Sequence, residues 1–279
     1  MNRILNHIQV ALCSCILFFL SACGSGSSTP LNPPNVQSSL LAYGIPVSFY
    51  VGVTQLNQGI TFNATLCDAL KPAQSPSSLY QAYSCTPTGS GNLTFTAKDA
   101  SGNVLLTKDF TIPDPQVTMV TSLGTVVLDL NPNAAPNTVK NFLQYVNAGF
   151  YKNMIFHRVI PGFVLQSGGF TSGMNPVTSS LAPIALETPN GLSNTMGTLA
   201  MARTSDPNSA TSQFFVNLVD NSSSLDYKDS SNPGYAVFGS VVSGMDVINQ
   251  IAQVPTTTVG SYANVPVSDV TITSMARTK

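Results

Sequence analysis

Residues 156–169, FHRVIPGFVLQSGG, constrain this chain more than any other stretch. They set one imidazole (His157), one guanidinium (Arg158) and one carboxamide (Gln166) among Phe156, Val159, Ile160, Phe163, Val164 and Leu165, with Pro161 and Gly162 making a bend between two short runs of β type. Such runs bury apolar side chains by pairing as strands, and the alternation leaves Arg158, flanked by Phe163 and Gln166, beside the apolar surface. A permanent charge there costs free energy unless it is hydrogen-bonded, so two readings stand: an arginine paired to a structural carboxylate, or a donor aimed at the amide of a ligand. Residues 212–217, SQFFVN, repeat the chemistry with Gln213 beside two aromatics. Two such runs make one groove.

Together, FHRVIPGFVLQSGG, GTLAMART (197–204), SATSQFFVN (209–217) and YAVFG (235–239) resemble the cyclophilin family of peptidyl-prolyl isomerases, most closely its bacterial periplasmic members, from about residue 116 to residue 276. The resemblance implies a mainly β domain, an eight-stranded antiparallel barrel capped by two helices, that acts on proline-containing polypeptides without cofactor or metal. Residue by residue, it makes Arg158 the catalytic arginine and Phe163, Val164, Phe215, Leu225 and Tyr235 the proline pocket. It makes Gln166 and Gln213 substrate-orienting carboxamides, and Met201, Ala202 and Arg203 the backbone segment that lines the groove. Val164 stands where methionine is usual, and Tyr235, Arg203 and Ser224 stand where eukaryotic members carry histidine, asparagine and tryptophan. These departures keep the catalytic donor and bear on drug binding and rim specificity.

The hydrophobic patterning points the same way. Residues 115–279 form the second domain, with strand-like runs at 117–122, 125–130, 154–158, 162–166, 197–202, 212–218, 236–242 and 269–275. Eight such runs suit a closed barrel. Two single-face helices, expected at 137–148 with Val139, Phe142, Leu143 and Val146 inward and at 245–252 with Val247, Ile248 and Ile251 inward, would plug its ends.

The residue inventory restricts the chemistry. His157 would be the only imidazole left after removal of a leader, with Ser167 as a candidate nucleophile, yet no nucleophile-elbow signature accompanies them. Glu187 is the only glutamate, and neither an acidic pair nor a His/Cys ligand cluster is apparent, so glycosidase and metal chemistry lack parts. A net charge of −1 without clustered Lys or Arg argues against nucleic acid. Prolyl isomerisation requires none of these parts. A slow peptide-binding chaperone using the same groove, and a structural lipoprotein acting through its amino-terminal domain, are the other readings.

The amino terminus reads as a targeting signal over residues 1–22. Arg3 gives a positive start, residues 8–20 are nearly all apolar, and Leu20-Ser21-Ala22-Cys23 resembles the bacterial lipobox, which implies cleavage before Cys23 and lipid attachment to its sulfur. An apolar run of about thirteen residues is short for a span, which needs about 20. Lipid would then hold the protein to the membrane, and Gly24 after the modified cysteine resembles outer-membrane sorting, facing the periplasm. Residues 23–35 read as a flexible tether.

Residues 36–113 read as a small β domain, immunoglobulin-like in outline, with strands at 47–53, 60–66, 93–97 and 104–112 and a hairpin turn at 99–103. Its partner is unknown. With Cys13 and Cys15 lost in the leader and Cys23 lipidated, Cys67 and Cys85 remain, and an oxidising compartment favours a bridge between them over two free thiols.

Overall fold

Alternating burial builds the amino-terminal lobe. In the computed structural model, which describes residues 36–52, 60–76 and 80–279, seven short strands precede residue 113: β1 (Val36–Ser38), β2 (Val47–Gly52), β3 (Thr61–Ala64), β4 (Lys71–Ala73), β5 (Tyr80–Cys85), β6 (Gly91–Lys98) and β7 (Val104–Ile112). The leader, Cys23 and the tether lie outside the described residues, as does Val53 at the end of an expected strand. On β2 the side chains of Val47, Phe49 and Val51 are buried while their neighbours are half-buried, and on β6 Leu93, Phe95 and Ala97 do the same. The two faces meet: the ring centroids of Phe49 and Phe95 are 5.0 Å apart.

The strands form two antiparallel sheets, ordered β1-β2-β5-β4 and β3-β6-β7. Lettered A to G along the chain, this is A-B-E-D against C-F-G, the strand partition of a constant-type immunoglobulin sandwich. Pattern reading passes over β1, β4 and β5. The first and second of these are three residues long, β4 carries a proline that only an edge strand accommodates, and β5, YQAYSC, has no β-branched residue. A disulfide joins Cys67, just after β3, to Cys85 at the end of β5, and so ties one sheet to the other. At the β6–β7 turn, Asp99 Oδ1 accepts the backbone N–H groups of Ser101 and Asn103, each at 2.9 Å.

The second lobe begins with β8 (Gln116–Thr121) and β9 (Gly124–Leu130), followed by α1 (Pro136–Asn147). Then come β10 (Arg158–Ile160), β11 (Val164–Ser167), the two-residue pair β12 (Phe170–Thr171) and β13 (Asn175–Pro176), β14 (Thr198–Met201) and β15 (Phe214–Asn217). The chain ends with α2 (Ser222–Leu225), β16 (Val237–Ser243), α3 (Met245–Ala252), the hairpin β17 (Thr256–Val259) and β18 (Tyr262–Pro266), and β19 (Ile272–Arg277). Eight strands make one antiparallel sheet ordered β10-β11-β15-β14-β16-β9-β8-β19. The sheet curls on itself, because residues running into β10 bond to residues running into β19: Asn153 N–H donates to Ile272 O (2.8 Å), Ile272 N–H to Met154 O (2.7 Å) and Phe156 N–H to Val270 O (2.9 Å).

This closure corrects the strand expected at 154–158. Residues 154–156 bond across the seam as an irregular segment, and the regular strand starts at Arg158. The helices bury the faces that their spacing marks. Val139 and Phe142 of α1 and Ile248 and Ile251 of α3 are fully enclosed, and the Phe142 ring lies 5.1–5.5 Å from Phe238, Tyr151 and Phe214. Pro136 opens α1, where a missing N–H costs nothing. Glu187 accepts the next two N–H groups, of Asn137 (3.0 Å) and Thr138 (2.9 Å), placing a carboxylate at the positive end of the helix. The two lobes share one hydrophobic cluster, and Asn133 exchanges hydrogen bonds with Ser90 across their boundary.

The disulfide closes a loop with a sequence separation of 18, so replacing Cys67 and Cys85 by serine is expected to remove about 3 kcal/mol of stability from the sandwich. Turnover of a short X–Pro peptide should stay within about twofold of wild type, since neither cysteine belongs to the eight-stranded sheet. Urea unfolding with and without reductant, beside the isomerase assay, checks both halves.

Candidate active site

One row of side chains across the sheet builds the site. The register places Arg158 opposite Gln166, Gln166 opposite Phe215, Phe215 opposite Ala200, and Ala200 opposite Val237. Cross-strand partners share a face, so these five residues stand side by side on the outside of the curl. The neighbouring row, Val159, Leu165, Val216 and Leu199, faces the interior and is completely buried.

Outside the curl, a second and smaller apolar cluster collects on the first row. It comprises Val164, Ala200, Phe215, Leu225 and Val237, with Phe163, Leu192, Ala202 and Tyr235 packed against them. Phe163 comes from the bend after Gly162, which adopts a φ of +73°, Leu225 from α2, and Tyr235 from the segment entering β16. The rings of Phe215 and Tyr235 meet edge to face at 5.6 Å. Between them opens a cavity of about 360 Å³ lined by Arg158, Phe163, Val164, Gln166, Ala202, Arg203, Phe215, Leu225 and Tyr235.

Arg158 stands half-buried at this cavity with its guanidinium carbon 5.9 Å from the centre of the Phe163 ring. Among the described residues its guanidinium has no hydrogen-bond or ion-pair partner, so the paired-arginine reading finds no carboxylate here. Gln166 Nε2 donates to Gln213 Oε1 at 2.8 Å, and Gln213 lines a smaller depression of about 170 Å³ next to the first. Gly168 and Gly169 make this possible. A Cβ on Gly168 (φ +90°) would strike the carbonyl of Ser212, and one on Gly169 would strike the Gln213 carboxamide.

In the expected groove-lining backbone segment, the side chains of Met201 and Arg203 have structural tasks. Met201 packs in the barrel core and is 3% exposed. Arg203 lines the cavity, but its Nε and Nη2 donate to Gly234 O (3.1 and 3.0 Å) and its Nη1 to Thr204 O (2.9 Å), while its guanidinium carbon sits 4.5 Å from the Tyr235 ring centre. It braces the wall that Tyr235 forms. Pattern reading missed Leu192 in the wall and the buried asparagines 194, 217 and 221 behind it. The available signal was Asn217 at the end of a strand in which every residue is buried, since a buried carboxamide demands partners.

His157 turns away from the cavity. It is 5% exposed, its ring lies 4.7 Å from Phe170, and its Nδ1 has no hydrogen-bond partner. Burial, reinforced by the charge of Arg158, lowers its pKa to about 4. Ser167 Oγ donates to Ile155 O at 2.9 Å and is fully buried, so serine and imidazole form no nucleophile–base pair. Among the described residues no group of three or more His, Cys, Asp or Glu side chains is placed to hold a metal ion.

Comparison with known proteins covers this lobe. Residues 116–277 match the family model described as cyclophilin type peptidyl-prolyl cis-trans isomerase/CLD. The chain is similar to a peptidyl-prolyl cis-trans isomerase of Acinetobacter baylyi, 49% identical over 171 residues, which are 61% of this chain and 89% of that protein. It is also similar to peptidyl-prolyl cis-trans isomerase B of Escherichia coli K12, 50% identical over 161 residues, covering 57% of this chain and 97% of the relative. Among solved structures, a cyclophilin type isomerase of Cryptosporidium parvum in the presence of the dipeptide Ala-Pro superposes with a TM-score of 0.50 at 26% identity, covering 59% of this chain and 99% of that one.

The buried imidazole gives a stability prediction. Its folded pKa lies below the ordinary 6.5, so the unfolded chain binds the extra proton; stability is full above about pH 6.5, is lost as pH falls towards about 4, and levels off below. The loss should be on the order of 3 kcal/mol. His157→Phe is expected to flatten the dependence in that window, measured by urea unfolding at several pH values.

Proposed function

Because this chain belongs to the cyclophilin-type family of peptidyl-prolyl cis-trans isomerases and isomerises X–Pro bonds, we propose that the reaction takes place in the cavity beside Arg158, on polypeptides of the bacterial envelope and on secreted proteins. Rotation about X–Pro breaks amide resonance across a barrier of about 18–20 kcal/mol and makes no new covalent bond. Phe163, Val164, Phe215, Leu225 and Tyr235 receive the proline ring. Gln166 and Gln213, tied together at 2.8 Å, orient the peptide beside the proline. In the twisted amide the proline nitrogen regains a localised lone pair that the planar ground state lacks. A donor aimed there stabilises the transition state preferentially.

The observation that carries this reading is the half-buried guanidinium of Arg158, which has no polar partner among the described residues and stands at a cavity walled by Phe163, Val164, Phe215, Leu225 and Tyr235. The other cavity arginine, Arg203, spends its donors on backbone carbonyls. Arg158 is the one with donors to give.

For its location, the proposal is a lipid-anchored protein at the outer membrane facing the periplasm, held through Cys23. The supporting features are the Leu20-Ser21-Ala22-Cys23 sequence after an apolar run, and a disulfide between Cys67 and Cys85, which suits an oxidising compartment. Stable anchoring requires more than one acyl chain. Cys23→Ser is therefore expected to move the protein from the membrane pellet to the soluble fraction after a high-salt wash, and a variant that still sediments would overturn the anchor.

Arg158→Ala and Arg158→Lys test the chemistry. A charge-assisted hydrogen bond contributes about 1.5–3 kcal/mol, so kcat should fall roughly ten- to a hundredfold, while affinity for a proline peptide stays within a few-fold of wild type. Lysine should restore little, since it offers a point charge on a flexible stem in place of a planar fork. Exchange NMR gives the turnover and titration gives the affinity. Equal losses in both would make Arg158 a ground-state clamp, and undiminished turnover would make it structural.

A further inference from the structure

Behind the cavity lies a chain of buried carboxamides that no part of the isomerisation chemistry uses directly. Asn194 and Asn217 are fully enclosed and Asn221 is 5% exposed, and none of the three lines the cavity. They bond in series. Asn217 Nδ2 donates to Asn194 Oδ1 (3.1 Å), and Asn221 Nδ2 donates to Asn217 Oδ1 (2.8 Å). At its two ends the series reaches backbone carbonyls: Asn221 Nδ2 donates to Phe163 O (2.9 Å), and Asn194 Nδ2 donates to Leu225 O (3.2 Å) and Tyr235 O (3.1 Å). Asp226 Oδ1 fixes Asn194 by accepting its backbone N–H (2.7 Å) and its Nδ2 (2.9 Å).

The three carbonyls belong to three residues that line the cavity, and those residues come from segments far apart in the chain: the bend before β11, the end of α2 and the approach to β16. No continuous strand or helix joins Phe163, Leu225 and Tyr235. Leu225 and Tyr235 are joined directly, Tyr235 N–H donating to Leu225 O at 2.9 Å, and the asparagine series ties that pair to Phe163. A fully paired buried polar network is stiff, because each bond that slackens exposes a donor or acceptor with no water to replace it.

We propose that Asn194, Asn217 and Asn221 are positioning residues that set the width of the proline pocket by holding the backbone of Phe163 at a fixed separation from the Leu225–Tyr235 pair. The inference rests on the pocket assignment made above. Walls that grip the proline ring act on ground state and transition state alike, whereas Arg158 acts on the twisted amide. Loosening the walls therefore weakens substrate binding and leaves the turnover of bound substrate intact.

The test uses the full chain with Asn221→Ala and Asn217→Ala, and with Met119→Ala as a control. Met119 is buried in the barrel core on β8, which pairs only with β9 and β19, away from the cavity. Each protein is assayed well below its own melting temperature by exchange NMR on an X–Pro peptide. Both asparagine variants should raise KM on the order of tenfold with kcat within about twofold, and the control should raise neither. Unchanged KM in the asparagine variants, or an equal rise in the control, would overturn the proposal by reducing the series to fold stability. Should a variant fail to fold, the wild type decides. The carboxamide N–H resonances of the three asparagines should shift on saturation with the proline peptide although none touches it, and resonances that do not move overturn the coupling. Failure of the pocket assignment reads differently: full turnover in Arg158→Ala, or a proline peptide that perturbs neither Phe163 nor Tyr235.

Discussion

A single curled sheet carries apolar surface on both faces, and the site depends on its pleat. Successive residues of β10, β11, β14 and β15 point alternately inward and outward, so Val159, Leu165, Leu199 and Val216 close the barrel core while Arg158, Gln166, Ala200 and Phe215 floor an external pocket. A slip of one residue in the β10–β11 ladder would turn the guanidinium towards the core and a core side chain towards the pocket. The same packing that stabilises the barrel therefore aligns the Arg158 guanidinium, and the site inherits the rigidity of the core behind it.

Charges are scarce in this chain, at 8% of residues, and several of those in the second lobe have structural tasks. Glu187 receives the first N–H groups of α1, Asp226 receives those of Asn194, and Arg203 gives its hydrogens to Gly234 and Thr204. In each case the charged group satisfies polar groups that tertiary structure would otherwise leave unpaired. Arg158 differs in having no such partner among the described residues. His157, its neighbour in sequence, shows what pleating does to adjacent residues. One points to the pocket; the other is sealed against Phe170, kept neutral by burial and by the adjacent cation.

The two lobes show different degrees of legibility in sequence. In the second lobe, α3 occupies the expected residues 245–252 and α1 starts one residue early, because apolar spacing and the Pro136 start are local signals. The seam at residues 153–156 was not legible, since its pairing with residues 270–272 is set by where a curled sheet closes and not by alternation. In the first lobe β2, β6 and β7 carry the usual β-branched and aromatic residues, whereas β4 and β5, with Lys71-Pro72-Ala73 and Tyr80-Gln81-Ala82, become strands by pairing with neighbours.

Sequence alone determined the chemistry on offer: one arginine in an alternating apolar run, carboxamides at Gln166 and Gln213, aromatics at Phe163, Phe215 and Tyr235, and two cysteines in one β-rich region. These follow from residue identity and short-range periodicity. Tertiary structure decided which of them meet. It turned Met201 into the core, gave Arg203 to the backbone of Gly234, and set Asn194, Asn217 and Asn221 behind the wall as a continuous series. Those outcomes depend on contacts between segments tens of residues apart, where pairing of buried donors and acceptors, and not the preference of any single residue, selects the partner.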